Sequence, residues 1–135
     1  MASVFYNNGK AALLKNDMDG VTLRLAYMAP AYTPDIDADV YFSDISVDVA
    51  AGSPTETLAS VTITVDNTNN RVEVDAADPS ENSVTTSTDK FVVYIWTGSA
   101  ATSELICCVD IAEGTLSPVN GTLSIAFNAE GIFAL

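Results

Sequence analysis

The sequence predicts a mainly β fold, a single-domain antiparallel β-sandwich or small barrel with one or two short helices. Three observations carry this. Residues 61–76, VTITVDNTNNRVEVDA, alternate apolar and polar positions on both sides of an Asn-rich bend. Residues 90–97 are apolar on both faces over the length of one strand. Gly, Pro, Asn and Asp then punctuate the chain into roughly six to eight short strands. With 135 residues, one domain buries about two-thirds of its unfolded surface.

In the hairpin, Val61, Ile63 and Val65 share one face and Thr62, Thr64 and Asp66 the other. Beyond the turn, Val72, Val74 and Ala76 oppose Arg71, Glu73 and Asp75. Strand side chains alternate in direction, so this ribbon has one wet and one buried side. Asn67 to Asn70 suit the bend because Asn tolerates left-handed backbone.

Residues 1–9 read as a short N-terminal arm. Lys10 to Asn16 is rich in Ala, Leu and Lys and predicts a helix of about two turns, pinned by Leu13 and Leu14. Asp17 to Gly20 turn the chain into a strand over 21–29, with Val21, Leu23, Leu25 and Tyr27 on one face. Thr33, Pro34, Asp35 and Asp37 have the residue types of a helix N-terminus, where free N–H groups and the positive dipole end lie. Ile36 and Val40, four apart, would then face the sheet. A brief strand and a Gly-Ser-Pro loop occupy 47–60. Residues 78–89 read as a polar surface loop. Phe91, Val93 and Ile95 alternate with Val92, Tyr94 and Trp96, which marks a central strand. Residues 98–103 form a hairpin loop into a strand over 104–111, and a late strand spans 122–129. The apolar tail 131–135 is tucked into the core or offered to a partner, the first being preferred.

Composition removes several chemistries. Eighteen acids face five bases, a net charge of −13, and the bases are scattered, so nucleic-acid and anionic-membrane binding are disfavoured. Histidine is absent, and with it the commonest general base and transition-metal ligand. Cys107 and Cys108 are strand neighbours facing opposite sides, which predicts two buried free thiols and a reducing cytosol. The start lacks the pattern of a secretory signal, and no window reaches the roughly 20 apolar residues of a membrane span. A soluble protein made in a cytosol is expected.

Asp35, Asp37 and Asp39 resemble the start of a calcium loop, but Val40 and Ser46 stand where Gly and a bidentate Glu are required; helix-start or loop acids are the better reading. Cys107 has no base beside it in sequence. Trp96 and Tyr94 suit core packing better than a sugar platform. Asn120-Gly121-Thr122 reads as a turn. No phosphate loop, zinc spacing or nucleophile elbow occurs. Catalytic residues, cofactors and metals are therefore all expected to be none.

Gly9 to Leu14, Tyr32 to Asp35, Phe42 to Asp44, Tyr94 to Gly98 and Gly131 to Leu135 stand in this order along nearly the whole chain. In this the sequence resembles a family of small virion structural proteins of tailed bacteriophages. Arg24 and Met28, where relatives are more uniformly Lys and aliphatic, and the Cys pair depart from the pattern. The resemblance implies a non-enzymatic virion protein, best read as a capsid decoration or cement protein that braces the assembled head. A tail, connector or fibre component and a carbohydrate-binding module are the alternatives. Its expected partners are the major capsid protein and further copies of itself, most plausibly in a trimer. Val4 and the aromatics outside clear strands, Phe5 and Tyr6 of the arm with Tyr32, Tyr41 and Phe42, are the expected contact residues, unless they only cover the ends of the fold.

Overall fold

The computed structural model describes residues 4–18 and 20–135, so Asp19 of the expected 17–20 turn lies outside the described residues. The fold is mainly β and antiparallel, with two short helices. Its contacts group into two compact units.

The first unit draws on the described residues of Met1–Val21, on Ala59–Ala77 and on Phe127–Leu135. It contains helix α1 (Asn7–Met18) and strands β3 (Thr62–Asp66), β4 (Arg71–Asp75) and β9 (Phe133–Ala134), in the sheet order β3-β4-β9. The expected hairpin is present in register, with Ile63 opposite Val74 and Val65 opposite Val72. Its bend is held by Asp66, whose carboxylate accepts the N–H groups of Thr68 and Asn69 at 2.9 and 3.1 Å and the Asn69 amide at 2.6 Å. Those donors hold the Asp66 carboxyl below its usual range. Asn70 takes the left-handed backbone (φ 54°) that closes the turn.

Helix α1 is longer than its propensities suggest and takes residues 7–9 from the expected arm. Side-chain bonds to the hairpin turn fix its first half: the Asn7 amide donates to Asn67 Oδ1 at 3.3 Å, and Lys10 Nζ to the Asn70 carbonyl at 3.0 Å. Ala11, not the leucine pair, is its buried residue; Leu14 is half-buried and Leu13 exposed. The apolar tail joins the sheet. Phe133 pairs with Val74, Leu135 and Val72 exchange both backbone bonds at 2.9 Å, and Ile132 is buried. Entry to this strand requires Gly131 (φ 90°), where a Cβ would lie 2.5 Å from the Val74 carbonyl oxygen.

The second unit, Thr22–Leu58 with Asp78–Ala126, holds a four-stranded sheet of order β2-β1-β6-β7 and a two-stranded ribbon of β5 and β8. These are β1 (Thr22–Met28), β2 (Thr55–Thr57), β6 (Lys90–Trp96), β7 (Leu105–Asp110), β5 (Ser80–Val84) and β8 (Gly121–Ser124). Strand β6 is central, as its two apolar faces predict, with Phe91 to Tyr94 all buried. Residues 78–89 are not wholly loop: Ser80–Val84 pairs with β8 across a bulge. The strand expected over 122–129 correspondingly ends at Ser124. Cys107 lies opposite Val93 and Cys108 opposite Val92, so the thiols point to opposite faces; both are free and half-buried.

Helix α2 (Phe42–Ile45) starts nine residues after Thr33, not at it. The acids that suit a helix start instead bind backbone N–H groups locally: Asp35 Oδ1 accepts from Asp37 and Ala38, both at 3.1 Å, and Asp39 Oδ2 from Asp35 at 2.9 Å. Short polar side chains offer the backbone this alternative to a helix. The result is a turn that leaves Ile36 93% exposed and Val40 about half so, rather than against the sheet. No helix among the described residues is long and apolar enough to cross a membrane.

Candidate interface residues

On one face of the four-stranded sheet, Ala26 and Met28 of β1 and Val92 and Tyr94 of β6 meet Tyr32 and Ile45 in a buried cluster, with Phe42, Trp96, Leu105 and Cys108 packed around it. Antiparallel pairing places Arg24 opposite Tyr94 and Thr22 opposite Trp96, so Arg24 and Trp96 are diagonal neighbours. The Arg24 guanidinium carbon sits 4.2 Å from the centre of the Trp96 ring. Its Nε is buried without a hydrogen-bond partner among the described residues. The cation lies over the ring's negative face and also hydrogen-bonds the Tyr94 hydroxyl. Tyr94 meets Trp96 edge-on, with centroids 6.4 Å apart and planes at 80°, and Phe42 stacks on the Tyr94 ring.

Beside this cluster, residues 40–42 run along the start of β7. Leu105 N–H donates to the Val40 carbonyl at 3.0 Å, and Phe42 N–H to the Ser103 carbonyl at 2.8 Å. The Asp44 carboxylate accepts the N–H groups of Tyr41 and Val40 at 2.8 and 3.1 Å, which holds its carboxyl below the usual range. Tyr32 is buried and donates its hydroxyl to Asp39 Oδ2 at 3.0 Å. Burial, then that hydrogen bond, raises the Tyr32 phenol above its ordinary value. A depression of about 340 Å³ opens here, lined among others by Tyr32, Ile36, Asp39, Leu105 and Cys107. Burial pushes the Cys107 thiol up to about 11, with Cys108 adding to the shift. That suits a packing thiol rather than a nucleophile.

The six expected contact residues therefore separate. Tyr32 is buried within the core cluster, and Phe42 packs against it partly buried. Tyr41 is about one-third exposed. Val4, Phe5 and Tyr6 are the uncovered ones, at 85, 66 and 83% exposure. Sequence reasoning missed Ile36 as a surface residue because the turn that exposes it depends on side-chain bonds from Asp35 and Asp39. It missed the Arg24–Trp96 pair because β1 and β6 meet only through long-range register. No protein-family model, curated protein or solved structure matches the chain.

Proposed function

We propose that the chain is a non-enzymatic structural protein of a tailed-bacteriophage virion, a decoration or cement protein that binds the outside of the assembled head and braces it. The observation that carries the reading is that the uncovered apolar side chains, Val4, Phe5 and Tyr6 in the first unit and Ile36, Val40 and Tyr41 in the second, sit in short segments outside the antiparallel sheets. Isolated apolar residues on a surface need no explanation, but consecutive ones with aromatics suit contact with another protein. Against this scaffold, the block resemblance over most of the chain supplies the virion setting. Arg24 lies over one face of Trp96, which counts against an open sugar-stacking platform.

Segment 36–41, steadied by Asp35, Asp39 and Asp44, is assigned to the major capsid protein. Bracing follows from preferential binding to the assembled shell, multiplied over many copies. The test is copy number in purified virions by quantitative mass spectrometry. Copies in the range of the capsid subunit support head decoration; a handful per particle points to tail, connector or fibre; absence overturns the virion reading.

A further inference from the structure

We infer that the N-terminal arm of one copy seats in a groove at the far end of helix α1 on a second copy, a head-to-tail contact between identical chains. The groove belongs to the first unit. Its volume is about 590 Å³, and Met18, Val61 and Ile63 supply apolar lining while Lys15, Asn16 and Gly20 complete it. Val61 is partly exposed and Met18 and Ile63 are half-buried. The floor lies along β3, an edge strand of its sheet. No side chain of Gly20 narrows the groove, and a Cβ built there meets nothing within 4 Å.

One copy cannot fill its own groove with Val4, Phe5 and Tyr6. Helix α1 runs antiparallel to β3: Asn7 and Lys10 bond the hairpin turn at Asn67 and Asn70, whereas Lys15 to Met18 lie beside Val61 and Ile63. The Lys10 N–H donates to the Tyr6 carbonyl at 3.0 Å, tying Tyr6 to the first helical turn. From there Val4 reaches back at most about 7 Å, while Met18 stands some 16 Å along the helix from Asn7. Arm and groove thus occupy opposite ends of one element, as a heterologous contact requires.

Size favours a second copy as occupant. An aromatic side chain buries about 150–250 Å², so Val4, Phe5 and Tyr6 together bury about 500 Å². With a matching area from the groove, the total is about 1,000 Å², the lower bound for a specific interface. A single arm–groove contact is accordingly weak, and closing a ring of copies strengthens it. Each copy carries a net charge of −13, so mutual repulsion opposes association and added salt promotes it.

The inference stands independently of the virion reading, because it concerns copies of the chain in solution. The test places the photo-cross-linker p-benzoylphenylalanine at position 5 of the full chain. Equal amounts of ¹⁴N- and ¹⁵N-labelled copies are irradiated at about 100 μM, a concentration suited to a weak contact. Expected are mixed-mass pairs joined between position 5 and segments 15–20 or 61–63, in yields that rise with salt. Val61→Glu, at an already exposed position, should cut that yield at least tenfold. Cross-links within one chain, to other segments, or none at all would overturn the contact, and this holds even where Val61→Glu does not fold.

Discussion

The rings of Phe42 and Tyr94 lie face to face, with centroids 4.4 Å apart and planes within 6° of parallel. One comes from a four-residue helix and the other from the central strand, so this stack fastens α2 to the sheet. Phe42→Ala removes it and is expected to cost about 2–3 kcal/mol, at or below the range for a fully buried ring because Phe42 is only partly buried. Urea denaturation checks this. An unchanged midpoint would show that the stack does not hold α2 to the sheet.

Tyr27 is fully buried, and its hydroxyl has no hydrogen-bond partner among the described residues. Burial, then the Glu56 and Glu81 carboxylates, raises its phenol far above the ordinary value. Tyr27→Phe keeps the ring and removes the unsatisfied group, so stability should rise by about 1 kcal/mol. A loss of stability in thermal melts would reveal a partner for the hydroxyl.

Glu56 supplies a pH dependence of known sign. Burial, with the Glu81 charge adding to it, holds the Glu56 carboxyl above its ordinary range. The folded state therefore binds its proton more tightly than the unfolded state. That contribution is full below the unfolded pKa of about 4.3 and is lost as pH rises through the folded value. Glu56→Gln should be more stable than the parent at neutral pH, with the gap closing in acid. Equal melting temperatures throughout would disprove the coupling.

Gly131→Ala tests the attachment of the C-terminal tail. The substitution meets both a left-handed backbone and the Val74 carbonyl oxygen at 2.5 Å. A loss of about 2–4 kcal/mol is expected. Hydrogen exchange should report it first at Ile132 and Leu135, whose N–H groups bond Val74 and Val72.

The thiols should be slow. With Cys107 pushed up to about 11 by burial, only about a thousandth of it is thiolate at pH 8. Native protein should react with an aromatic disulfide reagent far more slowly than unfolded protein, which releases two equivalents. Rapid native labelling would contradict the packing of β7 described above.

What the sequence made legible was local. The 61–76 hairpin and strand β6 follow from alternation within single segments, and both were placed within a residue. Ser80–Val84 was not legible: its sequence, SENSV, has no apolar alternation, and it is a strand only because β8 lies beside it. The helix expected at Thr33 was lost to side-chain bonds from Asp35 and Asp39. Helix α1 outgrew its propensities because the hairpin turn holds its first half. At the surface, Val4, Phe5 and Tyr6 were recognisable as aromatics and aliphatics outside any strand. Tyr32 and Phe42 carried the same signal, yet Tyr32 is buried and Phe42 packs partly buried against the core cluster, since burial depends on partners distant in the chain.

The pairing of β9 with β4 also sets a schedule. Strand β4 is complete at Asp75, but its second neighbour begins only at Phe133. At about 5–20 residues per second, the ribosome leaves that edge open for roughly 3–12 s. An unpaired edge bearing Val72 and Val74 is a template for wrong strands. Arg71, Glu73 and Asp75, alternating with those valines, act as gatekeepers until the proper neighbour emerges. Charge on this strand thus guards the nascent chain.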